Sequence, residues 1–269
     1  MEKGKIRRVK VQLSDELLKA QEEFIRDAEE NEELHYSRYK ELESSMGGRY
    51  ICSDLFKETF QKYAESAESR TILNVAVHNS AACLSGEYFI RLAQSGKFKK
   101  CIFLTGVPGA GKSYLIQSLS IAGSLSDDVM IFEGDVSSPT IVEKMSLCEQ
   151  NGIDIYVMVV NPTPELAQRN VISRRSEVGR GASPELMARI MSSLPRAIKE
   201  LSERFDIELG IYNKRTNYDI DTVVGIEHIE MLNHGTYDEL LKIFQELRQT
   251  MLEETQTNAN EEVNDGNAR

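Results

Sequence analysis

Apolar residues recur along this chain in two rhythms, one helical and one that of buried strands, and their alternation predicts the elements. From Ser14 to about Leu42 a charged sequence carries an apolar stripe of Leu17, Leu18, Phe24 and Ile25, and Ser14 followed by Asp15 and Glu16 is a helix start. Met46-Gly47-Gly48 breaks that helix, and Arg49 to Asp54 reads as a short strand ending in an acid. Residues 55–95 return to helical periodicity through Leu55, Phe56, Phe60 and Tyr63, then through Leu84, Tyr88, Phe89 and Leu92, until Gly96 and the lysines Lys97, Lys99 and Lys100 end it.

Four further runs read as strands of a buried sheet: Cys101 to Thr105, which is continuous and apolar, then Val129 to Phe132, Ile153 to Val160, and Ile207 to Tyr212. Helical patterns separate them, after the first strand through about Ala122 and then near 139–150, 164–176 and 184–205. This alternation predicts an α/β fold with a doubly wound, mainly parallel sheet. The expected organisation is a helical N-terminal extension at 1–45, an α/β domain at 46–250, and a disordered acidic tail at 251–269. That tail is too poor in large apolar groups to repay the entropy of folding.

Composition narrows the function classes. No stretch of the 269 residues is apolar enough to span a bilayer, and the basic start from Met1 to Val11 lacks the apolar core of a signal peptide, so a cytoplasmic protein is expected. Cys52, Cys83, Cys101 and Cys148 are unevenly spaced, with no CxxC pair and no histidine at metal-ligand spacing, and read as reduced thiols. A net charge of -11 opposes the polyanionic surface of nucleic acid, which is not expected as a main partner. Any phosphate site must then be a local gathering of basic groups.

Such a gathering is encoded at Gly106-Val107-Pro108-Gly109-Ala110-Gly111-Lys112-Ser113, which matches GxxxxGK[ST] between a buried strand and a helix, the context of a P-loop. Its small residues let backbone N–H groups turn toward phosphates, and the following helix adds its positive end. The motif predicts ATP or GTP as cofactor with Mg²⁺, Lys112 reaching the β- and γ-phosphates and the Ser113 hydroxyl on the metal. A glycine-rich turn that binds nothing is the bland reading.

A nucleotide site needs an acceptor site, and three segments offer one. Phe132-Glu133-Gly134-Asp135 puts an acid at the carboxyl end of a strand, where ligands gather in such sheets. Asn161 to Arg180 carries four arginines, suited to phosphoryl oxygens. Arg49 to Asp54 ends in an acid, with Lys57 one turn later. Together these segments, over about residues 49–215, resemble the zeta toxin family. The matching features are Ile131-Phe132-Glu133-Gly134, the strand from Gly152 to Val160, and Pro164-Glu165-Leu166 leading to Arg174 and then Arg180.

The resemblance implies a kinase that phosphorylates a hydroxyl of UDP-N-acetylglucosamine, with growth inhibition as the outcome and a protein antitoxin as partner. It also implies Asp54 as general base, Glu133 as acceptor-orienting group, and Arg174 and Arg180 as stabilisers of the phosphoryl charge. Arg175 competes with Arg174, because neighbours on a helix point about 100° apart. Lys57, His78 and Asn79 are implied acceptor contacts, and Asp135 shares with Glu133 the candidacy for a Walker-B-type acid.

One departure stands out. The family's aspartate strand follows the P-loop helix, whereas here no strand fits between Ser113 and Glu133, and Tyr50 to Asp54 precedes the loop instead. A rearranged connection order that keeps the sheet would still bring Asp54 to the γ-phosphate.

Each assignment has a plainer rival. Asp54 is an ordinary helix cap, the arginine span a solvated helix face, and His78 a helix-face histidine. His35, His228 and His234 show no constellation in the sequence. Alternatives to the nucleotide-sugar kinase are a kinase for a nucleoside, another cofactor or a nucleic acid end, and a nucleotide-binding regulatory module without catalysis.

Overall fold

The computed structural model describes residues 6–178, 181–216 and 219–266, the side chains of 175–178, 252 and 254–266 excepted. The chain opens with α1 (Asp15–Glu30), whose cap is the Ser14 hydroxyl accepting from the Leu17 N–H, and α2 (Glu32–Glu41). Then come β1 (Tyr50–Cys52), the single turns α3 (Ser53–Phe56) and α4 (Gln61–Ala64), and the long α5 (Ala67–Ala93), capped by Ser66. Next are β2 (Lys100–Thr105), α6 (Lys112–Ile121), β3 (Val129–Glu133), α7 (Pro139–Gln150), β4 (Asp154–Pro162), α8 (Pro164–Val178) and α9 (Pro184–Ser202). β5 (Ile207–Lys214), β6 (Ile220–Val224) and α10 (Tyr237–Gly266) complete it.

Among the described residues six strands form one sheet in the order β1-β3-β2-β4-β5-β6, parallel throughout except for β6 against β5. The strand cores are almost fully buried, as continuous apolar runs require: Phe103, Leu104, Met130, Val157 and Ile211 are covered from solvent. The chain leaves β2 for β3 on one side and returns from β3 to β4 on the other, so the loop after β2 stands at a topological switch point, where open α/β sheets bind ligands.

The N-terminal helices expected as an extension at 1–45 pack into the same core. α1 lies on α5, with Phe24 edge-on to Phe60, and Tyr39 of α2 stacks on Phe56 with ring centroids 3.7 Å apart. The Tyr39 hydroxyl also closes the free edge of β1, donating to the Tyr50 carbonyl at 2.6 Å and accepting from the Cys52 N–H at 3.0 Å. An edge strand of three residues is marginal by itself. The buried phenol satisfies two backbone groups that would otherwise be orphaned, and so fixes the strand that leads to Asp54.

Two features depart from the sequence reading. β6 pairs antiparallel with β5 where no strand is expected, and α10 is helical into the stretch expected to be an unstructured tail. The near end of α10 is anchored: Leu240 and Phe244 are fully buried, and the helix packs on α8 and α9.

Candidate functional site

The loop between β2 and α6 is shaped by three glycines with positive φ, Gly106 (137°), Gly109 (80°) and Gly111 (87°). Two of them also face backbone at close range. A Cβ on Gly106 would collide with the Val160 carbonyl, and one on Gly109 with the Ala167 carbonyl of α8, so both positions require glycine. Asn170 of α8 pins the loop by donating to the Gly109 carbonyl at 2.8 Å. Gly111 is the cap residue of α6, so the first-turn N–H groups of that helix, which have no intrahelical partners, open at the loop.

The loop forms the floor of a cleft of about 730 Å³ whose walls come from the carboxyl ends of four strands. Asp54, Gly106, Pro108, Gly109, Gly111, Lys112, Ser113, Glu133, Asp135, Arg174 and Lys214 all border it. Val107 and Ala110, the remaining loop residues, are buried beneath it.

Register explains how an acid from before the loop reaches this place. β1 and β3 are parallel neighbours with Cys52 opposite Glu133, so Asp54, two residues on, emerges beside the end of β3. Asp54 is not the cap of α3. Cys52 holds that position without a side-chain cap, and the Asp54 carboxylate is paired with the Lys57 ammonium at 2.7 Å. Lys57 is only 3% exposed and donates also to the Asn74 side-chain oxygen at 2.8 Å, which leaves its charge committed to holding Asp54.

Glu133 is held from two sides. The Tyr50 hydroxyl donates to it and lies 3.4 Å from the Ser113 hydroxyl, and the Lys112 ammonium stands 3.6 Å from its carboxylate. Burial, and secondly the Glu133 charge, push the Tyr50 phenol well above its usual pKa, so it stays protonated and serves as donor. Lys112 also donates to the Gly106 and Val107 carbonyls at 2.9 and 3.2 Å. Asp135 accepts from the Ser137 N–H and hydroxyl through one oxygen and pairs with Arg189 at 3.1 Å through the other.

A smaller recess of about 200 Å³ adjoins the cleft, bordered by Lys57, Asn74, His78, Val171 and Leu186 and sharing Asp54, Pro108, Gly109 and Arg174 with it. His78 borders it. The surrounding protein, and secondly the Lys57 ammonium, lower its pKa from the usual histidine range. Asn79, proposed from sequence beside His78, is not brought to the recess. Its amide donates to the Arg7 carbonyl at 2.6 Å, because adjacent helical positions face about 100° apart. Arg174 borders both cavities, Arg180 lies outside the described residues, and of the Arg175 side chain nothing is described.

Two features of the site went unread in the sequence. Lys214, the last residue of β5, is 3% exposed and reaches the cleft at the head of α6. His234, which showed no constellation in the sequence, hydrogen-bonds the Asn161 side-chain oxygen at 2.7 Å, while the Asn161 amide donates to Asn213 and to the Met231 carbonyl. That network ties β4 and β5 to the segment before α10.

The oxygen donors suit a hard divalent cation. Among the described residues no three or more His, Cys, Asp or Glu side chains form a metal cage. Mg²⁺ needs less, one or two protein oxygens beside substrate phosphates and water, and the Ser113 hydroxyl with Glu133 provides them within the cleft. Asp135 is less free for this, both its oxygens being engaged. Among the described residues no helix is long and apolar enough to cross a membrane. No family model and no curated protein matches this chain.

Proposed function

We propose that this protein is a P-loop kinase that transfers the γ-phosphoryl group of ATP or GTP to a hydroxyl of a small molecule. The observation that carries the reading is the meeting of Asp54 with Lys112, Ser113, Glu133 and Arg174 around one cleft, although Asp54 belongs to a strand that precedes the glycine-rich loop. A glycine-rich turn without a ligand explains the loop. It does not explain a buried lysine dedicated to orienting a carboxylate toward that loop.

The geometry supports a division of labour among these residues. The loop N–H groups and the head of α6 bind the phosphate chain, and Lys112, leaving the loop carbonyls, places its ammonium on the β- and γ-phosphates. Asp54 accepts the proton of the attacking hydroxyl, held in position by Lys57. Glu133, fixed by the Tyr50 hydroxyl, orients the acceptor or the water around the metal. Arg174, at the junction of cleft and recess, neutralises charge on the transferring group. Bound Mg²⁺ would neutralise charge on the β- and γ-oxygens.

The recess beside Asp54 is where the acceptor enters. Its lining of Lys57, Asn74 and His78 beside Val171 and Leu186 offers hydrogen-bond partners with an apolar wall, suited to a polyhydroxylated ligand. The resemblance to zeta toxins favours UDP-N-acetylglucosamine among such acceptors, with growth inhibition as the consequence and a protein antitoxin as partner. The test is to incubate the pure protein with Mg²⁺, γ-labelled ATP or GTP, and a panel of nucleotide sugars and nucleosides. Acceptor-dependent transfer of label to a hydroxyl supports the reading. Nucleotide binding with no transfer to any acceptor would favour a regulatory module.

A further inference from the structure

The cleft has two chemically different rims. Asp54, Glu133 and Asp135 stand at the ends of β1 and β3, on one side of the loop. On the other side, two strands away from β2, β5 ends in Lys214, and among the described residues this lysine makes no ion pair with any carboxylate. A lysine 3% exposed and without a counter-charge is costly, because removing an ammonium from water has nothing to offset it. Burial accordingly lowers its pKa from the usual lysine value, with no carboxylate opposing the shift.

Its position is built rather than incidental. β5 pairs with β4 as far as Pro162 opposite Lys214, and the Thr163 N–H bonds the Lys214 carbonyl at 3.3 Å, so the backbone there is anchored to the strand next to the loop. The ammonium lies 2.7 Å from where a Cβ on Gly111 would stand, at the head of α6, and 5.7 Å from the centre of the Tyr114 ring. A side chain at position 111 would displace it. The absence of one at Gly111 therefore serves both the loop conformation and the access of this lysine to the cleft.

We infer that Lys214 is a nucleotide-binding residue that holds the nucleoside end of the bound nucleotide, its ammonium donating to the α-phosphate and sugar oxygens. The acids on the β1 and β3 rim fix the end where the phosphoryl group leaves. A triphosphate lying across the loop then has its other end toward β5, where Lys214 borders the cleft as a buried cation with no ion pair to a carboxylate among the described residues. The inference rests on the kinase reading, since it takes the ligand to be a nucleotide and its orientation from the acids.

Equilibrium binding of ADP, GDP and inorganic pyrophosphate to the full chain tests it. Lys214→Met is expected to weaken the preferred nucleoside diphosphate by about tenfold or more, the scale of one lost charge-assisted hydrogen bond, and pyrophosphate by less than about threefold. Lys112→Met, which strips the phosphate end, is expected to weaken both ligands. Lys214→Arg should restore most of the nucleotide affinity, which also separates a lost charge from a damaged fold. Nucleotide affinity within about twofold of the unaltered protein in Lys214→Met, or an equal loss for pyrophosphate, overturns the inference and leaves the kinase reading standing. If the unaltered protein binds no nucleotide, both fall.

Discussion

The two rims of the cleft handle charge in opposite ways. Each acid on the β1 and β3 rim has a fixed partner: Asp54 has Lys57, Glu133 has Tyr50 and Lys112, and Asp135 has Ser137 and Arg189. On the β5 rim Lys214 is buried with no acid opposite. Partnered acids are groups whose direction is set in advance, and preorganisation of that kind is what a proton transfer needs. An unpartnered cation is a group that waits for an anion to come from outside. On the proposed kinase reading, the contrast gives chemistry to one rim and recognition to the other.

The largest expected effect lies between the rims. Lys112→Ala removes the side-chain cation that the proposed function places on the phosphates, and turnover with saturating acceptor should fall by about a thousandfold or more. Turnover within about tenfold of the unaltered protein would take the loop out of the mechanism and dissolve the division between the rims.

A smaller effect sharpens the comparison from the structural side. Tyr39→Phe deletes the hydroxyl that satisfies the Tyr50 carbonyl and the Cys52 N–H on β1, and leaves a buried N–H without a partner. The expected destabilisation is roughly 1–3 kcal/mol by chemical denaturation. Because β1 leads to Asp54, the proposed function expects turnover to fall while nucleotide affinity changes little. A loss confined to nucleotide affinity would show that β1 does not serve the acid rim.

Much of this arrangement was legible in the sequence, for physical reasons that differ by element. β2 and β3 announced themselves because both faces are covered and their apolar runs are uninterrupted, as in Cys101 to Thr105. β6 did not, since Ile220-Asp221-Thr222-Val223-Val224 is an edge strand with no fully buried residue and reads as loop. The glycine-rich loop was readable because its conformation demands glycine at fixed spacing, and Gly106 and Gly109 meet that demand against backbone atoms.

Lys214 was missed because the apolar run of β5 ends at Tyr212 while pairing with β4 continues for two more residues. Its place at the carboxyl end of β5 is the signal that points to it, since ligands gather at such ends. His234 and Asn161 lie far apart in sequence, and only the packing of the segment before α10 brings them together. Asn79 is next to His78 in sequence, but helical geometry turns it toward the Arg7 carbonyl and away from the recess.

The central claim is that Asp54, reached through a strand that precedes the loop, is the base of a phosphoryl transfer. The measurement that tests it most directly is the single-turnover rate of Asp54→Asn with saturating nucleotide and acceptor, alongside its nucleotide affinity and melting temperature. The substitution keeps the shape and a hydrogen bond for Lys57 while removing the proton acceptor. A folded protein that binds nucleotide as before, with its rate reduced by roughly a hundredfold or more, is the predicted result. An unchanged rate would contradict it and move the base to Glu133 or Asp135.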